Sequence, residues 1–400
     1  MDETGRALLM LVLAGGAVAP RRALLDGFPA GPAHALAAGP RAWREAGLND
    51  AQVARLQQPP AEALRRGLDW LAQPGHHLLG WRSPDYPALL RQVGSPPLAL
   101  FVDGDPAALW HPAIAVVGSR APSPGGRENA YAFARAFATA GLAVVSGLAT
   151  GIDAVAHEAA LAVPGAPVLA VVGTGPDLAY PTHHAALRGR VAARGAIVSE
   201  HPPGTPARPA HFPSRNRILA GLALGTLVVE AAERSGALIT ARQAAEAGRE
   251  VFAIPGSIHN PLARGCHRLI REGAGLVEHP DEVMAGVGAL ADGLASELRA
   301  RLGPLAPPLA HAAGPAPQFA GTPAGYPHPD PDYQCLWQAL GHDPSPMDFL
   351  VARTGLTAAV LSSMLLVMEL EGRVAVEHGR YSRQAGFLHR HSVVDAGRGQ

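Results

Sequence analysis

The chain has 400 residues, 48% of them hydrophobic and 16% charged, and its formal net charge is zero. That length corresponds to two or three domains, and the composition excludes a disordered, collagenous or disulfide-stapled chain. Overall neutrality excludes capture of polyanions by bulk charge, so any nucleic-acid contact has to come from a local patch.

Residues 1–75 are rich in Ala, Leu and Arg and regularly broken by Gly and Pro. The pattern predicts a small helical domain of four or five short helices. Its run "RALLMLVLAGGAVAP" (6–20) has the apolar stretch and Ala-x-Ala ending of a signal peptide. The preceding Asp2 and Glu3 are acidic where a signal peptide is basic. The run is therefore read as a core helix and the protein as cytoplasmic, with no membrane partner. Cys266 and Cys335 make no disulfide framework, which agrees with a reducing compartment.

Short strands and turns over 78–105 lead into a unit placed at 76–290. There, apolar runs at 114–120, 142–147, 168–175, 196–200, 227–231 and 250–256 alternate with helix-period segments such as "RENAYAFARAFATAG". Runs apolar on both faces and separated by helices predict a doubly wound parallel α/β sheet, extended and Rossmann-like. Residues 291–331 read as a linker after a short helix, with nine prolines between Pro304 and Pro331. Residues 332–383 show three helices and a two-stranded ribbon, the order of a winged helix, and 384–400 are expected to be a disordered tail.

Ligands of open α/β sheets bind at the carboxyl ends of the strands. Those ends carry Gly118, Ser119 and Arg120; Ser146 and Gly147; and Gly173 and Gly175. Ser235 and Gly236 open a further helix. Small residues there let backbone amides approach an oxyanion. The segment "FPSRNRILAGL" (212–222) adds Arg215, Asn216 and Arg217 in what reads as the first turn of a helix starting at Pro213 and Ser214. Cations are misplaced at that end of a helix dipole unless an anion faces them. Every permanent side-chain cation is arginine, since the sequence contains no lysine, and the guanidinium fork suits phosphate oxygens. These twelve residues are expected to form a phosphate-binding crevice.

Other chemistry finds little support. "GTGPDL" lacks the third glycine of a dinucleotide fingerprint, and no Walker sequence occurs. Glu230, Asp153 and Asp177 are candidate acids, although aspartates commonly cap helices and brace loops. The pairs His76-His77 and His183-His184 lack the ligand spacing of a metal site, so neither metal nor cofactor is expected.

At these residues the chain resembles the DNA-processing protein A (DprA/Smf) family. The matching motifs are "VGSR" (117–120), "SGLATGIDAVAH" (146–157), "GTGPDLAYP" (173–181), "SEHPPG" (199–204), "FPSRNRILAGL" (212–222), "VVEAAERSGALITA" (228–241), "GREVFAIPG" (248–256) and "GCHRLIREGA" (265–274). The resemblance implies a Rossmann-like domain that binds single-stranded DNA, a homodimer, and a non-enzymatic role. That role is protecting incoming DNA in natural transformation and helping to load a RecA-type recombinase. It also implies a SAM-like or helix-hairpin-helix-like domain at 1–75, and pairing of protomers through Ile270 and Leu276. Two departures stand out: Thr150 and Thr182 occupy positions that are often basic in relatives, leaving His183, His184 or Arg188 as possible substitutes. The candidate recognition helix at 357–370 carries no arginine, so it is read as a packing or partner surface rather than a groove reader. The alternative reading is a nucleotide phosphoribohydrolase-like enzyme on a similar scaffold, but its P-G-G-x-G-T-x-x-E loop has no counterpart in "ERSGALITA".

Overall fold

The computed structural model describes residues 2–302, 330–341, 343–377 and 379–383. Six helices open the chain: α1 (Glu3–Leu13), α2 (Val18–Gly27), α3 (Pro32–Ala37), α4 (Gly39–Glu45), α5 (Asp50–Gln57) and α6 (Ala61–Leu71). Asp2 caps α1, and Asn49 with Gln52 makes a reciprocal capping box on α5. Buried Arg21 binds the carbonyls of Leu11, Val12 and Gly16, so one guanidinium closes the α1–α2 turn. Burial pulls its pKa down to about 10, which leaves it charged at neutral pH.

These helices do not form a self-contained bundle. Leu8, Leu11, Leu24 and Trp43 share a core with Leu98 and Ala99 of the following unit, and Leu9 with Trp70 packs on Phe101. The apolar floor of the N-terminal helices is therefore an edge of the neighbouring sheet.

The central unit runs β1 (His76–Gly80), α7 (Ala88–Arg91), β2 (Ala99–Gly104), β3 (Ala113–Val117), α8 (Pro124–Thr139), β4 (Ala143–Ser146), α9 (Ile152–Leu161) and β5 (Val168–Val171). It continues through α10 (Ala185–Arg194), β6 (Gly195–Ser199), α11 (His211–Leu222), β7 (Gly225–Val228), α12 (Ala237–Glu246), β8 (Glu250–Ala253), α13 (Arg264–Arg271), β9 (Gly275–Leu276) and α14 (Pro280–Leu302). Each apolar run of the sequence supplies one strand. The strand order is β1-β2-β6-β5-β4-β3-β7-β8-β9. Strands from β6 to β9 in that order pair in parallel, while β1 with β2 and β2 with β6 are antiparallel. The short strands of 78–105 thus extend the main sheet as an antiparallel margin.

Alternation along the strands builds two cores. Ile114, Val116, Val144, Val168 and Leu227 face one layer holding α8, α9, α10 and α14. Ala115, Val117, Val145, Val171 and Val228 face the opposite layer of α7, α11, α12 and α13. Chain order runs away from β3 in one direction through β4 to β6, and in the other through β7 to β9. The sheet's topological switch point therefore lies between the carboxyl ends of β3 and β7.

Two expected boundaries are corrected. Helix α14 runs to Leu302, so residues 291–302, read from sequence as linker, are helical; Val283, Val287 and Leu294 bury one stripe of it along the sheet layer. Helix α11 begins at His211 rather than Pro213, two residues earlier than expected. A proline is tolerated there because first-turn amides have no intrahelical partner.

The C-terminal unit comprises α15 (Pro331–Ala339), β10 (Ser345–Pro346), α16 (Met347–Thr354), α17 (Ala358–Leu370), β11 (Val374–Glu377) and β12 (Arg380–Arg383). Its sheet has three strands in the order β10-β12-β11, one more than the expected ribbon. Leu336, Leu350, Leu361, Leu365 and Met368 form its core. Helix α17 buries those last residues and leaves Leu366 and Leu370 exposed, with no cation along it. Residues 303–329 of the Pro-rich linker and the 384–400 tail lie outside the described residues, and Pro331, expected in the linker, opens α15. No single described helix is long and apolar enough to cross a membrane.

Candidate nucleic-acid interface

A cavity of about 550 Å³ opens at the switch point, within the range of small-ligand sites. Of the twelve expected residues, Gly118, Arg120, Arg215, Asn216, Ser235 and Gly236 line it. Gly118 and Arg120 follow β3, Arg215 and Asn216 come from α11, and Ser235 and Gly236 lead into α12. The walls also include Asp153, Tyr180, Phe212, Ile239 and Thr240.

Arg120 is exposed and makes no ion pair among the described residues; its guanidinium lies 5.8 Å from the centroid of the Phe212 ring. Phe212 in turn lies 5.3 Å from Tyr180, a residue that is 46% exposed. One unpaired cation, a half-buried ring and an exposed one thus share one rim. Ser119 lies in the same turn as Arg120, where its hydroxyl accepts from the Ala121 amide and its carbonyl accepts from the Ile152 amide.

The other expected residues serve the frame. The Ser146 hydroxyl is buried and donates to the Val116 carbonyl. Gly147 leaves room for a guanidinium, since a Cβ there would stand 2.4 Å from both terminal nitrogens of Arg215. Gly173 packs under His211 and Phe212, and Gly175 sits against Asp177 and Pro202. Close approach favours glycine at 147 and 175, but the neighbour is protein, and at Gly173 the contact is looser.

The two arginines of α11 correct the sequence reading. Arg215 is not a first-turn residue facing an anion: it lies in the second turn, buried, donating through Nε to Asn216 and through Nη1 to the carbonyls of Gly147 and Val171. Burial lowers its pKa, and Asp153 opposes that shift. Arg217 makes a bidentate pair with Glu200, at 2.9 and 2.6 Å, and also binds the Ser214 carbonyl. Its charge is already neutralised in this structure. The Gly147 and Glu200 partners could not be read from sequence, because both lie in loops distant along the chain.

The basic positions lost at Thr150 and Thr182 are not replaced by Arg188, which pairs with Asp103 at 2.5 Å and donates to the Pro176 carbonyl. His184 hydrogen-bonds the Leu148 carbonyl through Nδ1, and His183 is exposed. His201 and His211 stack at 4.0 Å, and burial pushes the His201 imidazole down to about 4.

Candidate acids are committed elsewhere. Glu230 accepts from the Ser123 amide and hydroxyl and from Asn260 Nδ2, tying the start of α8 to the 257–263 loop. Asp177 accepts from the Gly204 amide. Among the residues lining the cavity, the one carboxylate is Asp153, which accepts from the amides of Gly147 and Ala149. No group of three His, Cys, Asp or Glu among the described residues could hold a metal ion.

At the far edge of the sheet, β9 pairs only with β8. Leu269 and Val277 belong to the core, while Ile270 is half-buried and Leu276 is 50% exposed.

The family model of DNA recombination-mediator protein A matches residues 77–288, and that of the DprA winged helix domain matches residues 320–380. Protein Smf of Escherichia coli is 39% identical over 351 residues, covering 86% of this chain and 87% of its own. DNA processing protein DprA of Streptococcus pneumoniae is 46% identical over 200 residues, 50% of this chain and 70% of its own. The X-ray structure of DNA processing protein A from Streptococcus pneumoniae matches with a TM-score of 0.63 and 34% identity, over 71% of this chain and 98% of that one.

Proposed function

Because the chain belongs to the DNA-processing protein A (DprA/Smf) family, we propose that its DNA-processing role is that of a single-stranded DNA-binding mediator. It holds the strand at the β3–β7 crevice, protects incoming DNA and helps to load a RecA-type recombinase during natural transformation. The proposed setting is the cytoplasm and the proposed active species a homodimer paired through Ile270 and Leu276. The domain limits proposed are 1–75 and 76 to about 302, then the winged helix at 332–383.

The observation that carries this reading is the rim where unpaired Arg120 stands beside Phe212 and exposed Tyr180. A cation neutralises a backbone phosphate without regard to sequence, and the exposed Tyr180 ring can stack on an unpaired base, which duplex DNA does not offer. Gly118, Ser119, Ser235 and Gly236 supply small turns through which amides reach phosphate oxygens. Binding rather than hydrolysis is favoured because the crevice carboxylate of Asp153 is already bonded to two backbone amides.

The test is fluorescence anisotropy with labelled single- and double-stranded oligonucleotides of several sequences. Tighter binding of single strands with little sequence dependence is expected, and equal affinity for both forms refutes the reading. Incubation with nucleoside monophosphates addresses the phosphoribohydrolase alternative, which predicts released base.

A further inference from the structure

We infer that Asp153 and Arg215 are positioning residues: opposed buried charges that fix the Gly147–Gly151 loop and, through it, the backbone that carries Arg120. The inference rests on the single-strand reading of the crevice and assigns these two residues a task other than touching DNA.

The loop is gripped from both sides. Asp153 takes the amides of Gly147 and Ala149 at 3.1 and 3.3 Å. Arg215 donates to the Gly147 carbonyl at 2.8 Å and also to the Val171 carbonyl of β5. A capping carboxylate would bond the amides of its own helix; this one reaches back past the start of α9 to the residues before it. Between the gripped amides, Leu148 holds φ at +57°, which is uncommon for a residue with a side chain and persists where the surroundings impose it. His184 adds a hydrogen bond to the Leu148 carbonyl.

The far end of the loop rests directly on the Arg120 turn. Gly151 has φ +81°, and a Cβ there would lie 2.3 Å from the Ser119 carbonyl oxygen and 2.7 Å from the Arg120 carbonyl. The Ile152 amide donates to the Ser119 carbonyl at 3.1 Å. Backbone thus meets backbone with no intervening side chain to absorb a shift. Burial of both charges makes the arrangement all or nothing, because removing either leaves the other without its compensating field.

The experiment is a double-mutant cycle on the full-length protein with Arg120→Ala and Arg215→Met, read by oligo(dT) affinity over a salt series. Arg215→Met is expected to weaken binding by about the same factor as Arg120→Ala and to lower the salt slope by about 0.7, the increment of one phosphate. The double variant should lose nothing beyond Arg120→Ala. Losses that multiply, with two slope increments, would make Arg215 a phosphate ligand in its own right and overturn the inference. Unchanged affinity in a less stable Arg215→Met protein would overturn it equally. Asp153→Asn, which keeps the side-chain shape, carries the same cycle if Arg215→Met does not fold. Wild-type protein that ignores oligo(dT) at every salt concentration refutes the single-strand reading itself rather than the coupling.

Discussion

Replacing Arg217 and Arg120 by alanine separates a structural cation from a binding one. Arg217 and Glu200 have side chains 17% and 14% exposed and meet through two short bonds. Removing one partner of a fully buried pair costs about 3–5 kcal/mol, whereas exposed pairs contribute about 0–1 kcal/mol. At this depth Arg217→Ala should cost about 2–3 kcal/mol, mostly by stranding the Glu200 carboxylate. Arg120, exposed and unpaired, should change stability by less than about 0.5 kcal/mol when replaced. Urea denaturation measures both values. A parallel salt titration of single-strand binding should show a slope lower by about 0.7 for Arg120→Ala and an unchanged slope for Arg217→Ala. Adding Glu200→Ala to Arg217→Ala should recover part of the lost stability. If Arg217→Ala instead melts at the wild-type urea midpoint and loses one slope increment, the Glu200 pair opens to DNA and the assignment of Arg217 to the frame is wrong.

His157 is buried with neither ring nitrogen hydrogen-bonded among the described residues, and burial, then His184 and Arg215, push its pKa down to about 3. The unfolded chain takes up this proton near 6.5 and the folded chain refuses it, so stability is full above that pH and falls below it. By pH 5 the loss from this residue is about 2 kcal/mol; His157→Leu should flatten the decline between pH 6.5 and 5, and an equally steep decline in urea midpoints refutes the assignment. Ile270→Glu combined with Leu276→Glu should yield a folded monomer in sedimentation experiments, since the two side chains lie at the uncovered edge of the sheet; persistence of a dimer relocates the interface. Truncation after Leu302 should leave oligo(dT) affinity nearly intact, because no crevice residue and no α17 cation is removed. A large loss would give the winged helix a direct role.

The sheet was legible because a strand buried on both faces must be apolar throughout, and each such run forms one strand. Gly118, Ser235 and Gly236 could be placed at the cavity for a related reason, since turns there draw small residues, and Arg120 because it directly follows the β3 turn. The pairing of Arg217 was not. Glu200 comes from the loop after β6, and nothing in the spacing of the two residues says that they meet. The start of α11 was misread because Ala210 offers no side-chain cap, so Pro213 and Ser214 were the strongest local signal. Thr182 and Thr150 mark cations missing from the sequence, but that Arg188 is bound to Asp103 is a tertiary fact. A short helix ahead of the linker was legible, but its reach to Leu302 was not, because Ala and Gly over 291–302 give weak contrast with the linker that follows.

The antiparallel margin of the sheet sets an order on how the chain can assemble during synthesis. Phe101 of β2 faces Ser199 of β6, and β6 stands between β2 and the rest of the sheet. The N-terminal helices pack on Leu98, Ala99 and Phe101, so their apolar floor has a fixed place only after residue 199 has left the ribosome. Until then the first helices and the antiparallel β1–β2 pair form an emerging fragment whose β2 edge lacks its partner. A stalled or truncated product ending before β6 would expose that edge to neighbouring chains, the kind of surface on which aggregation and chaperone capture begin.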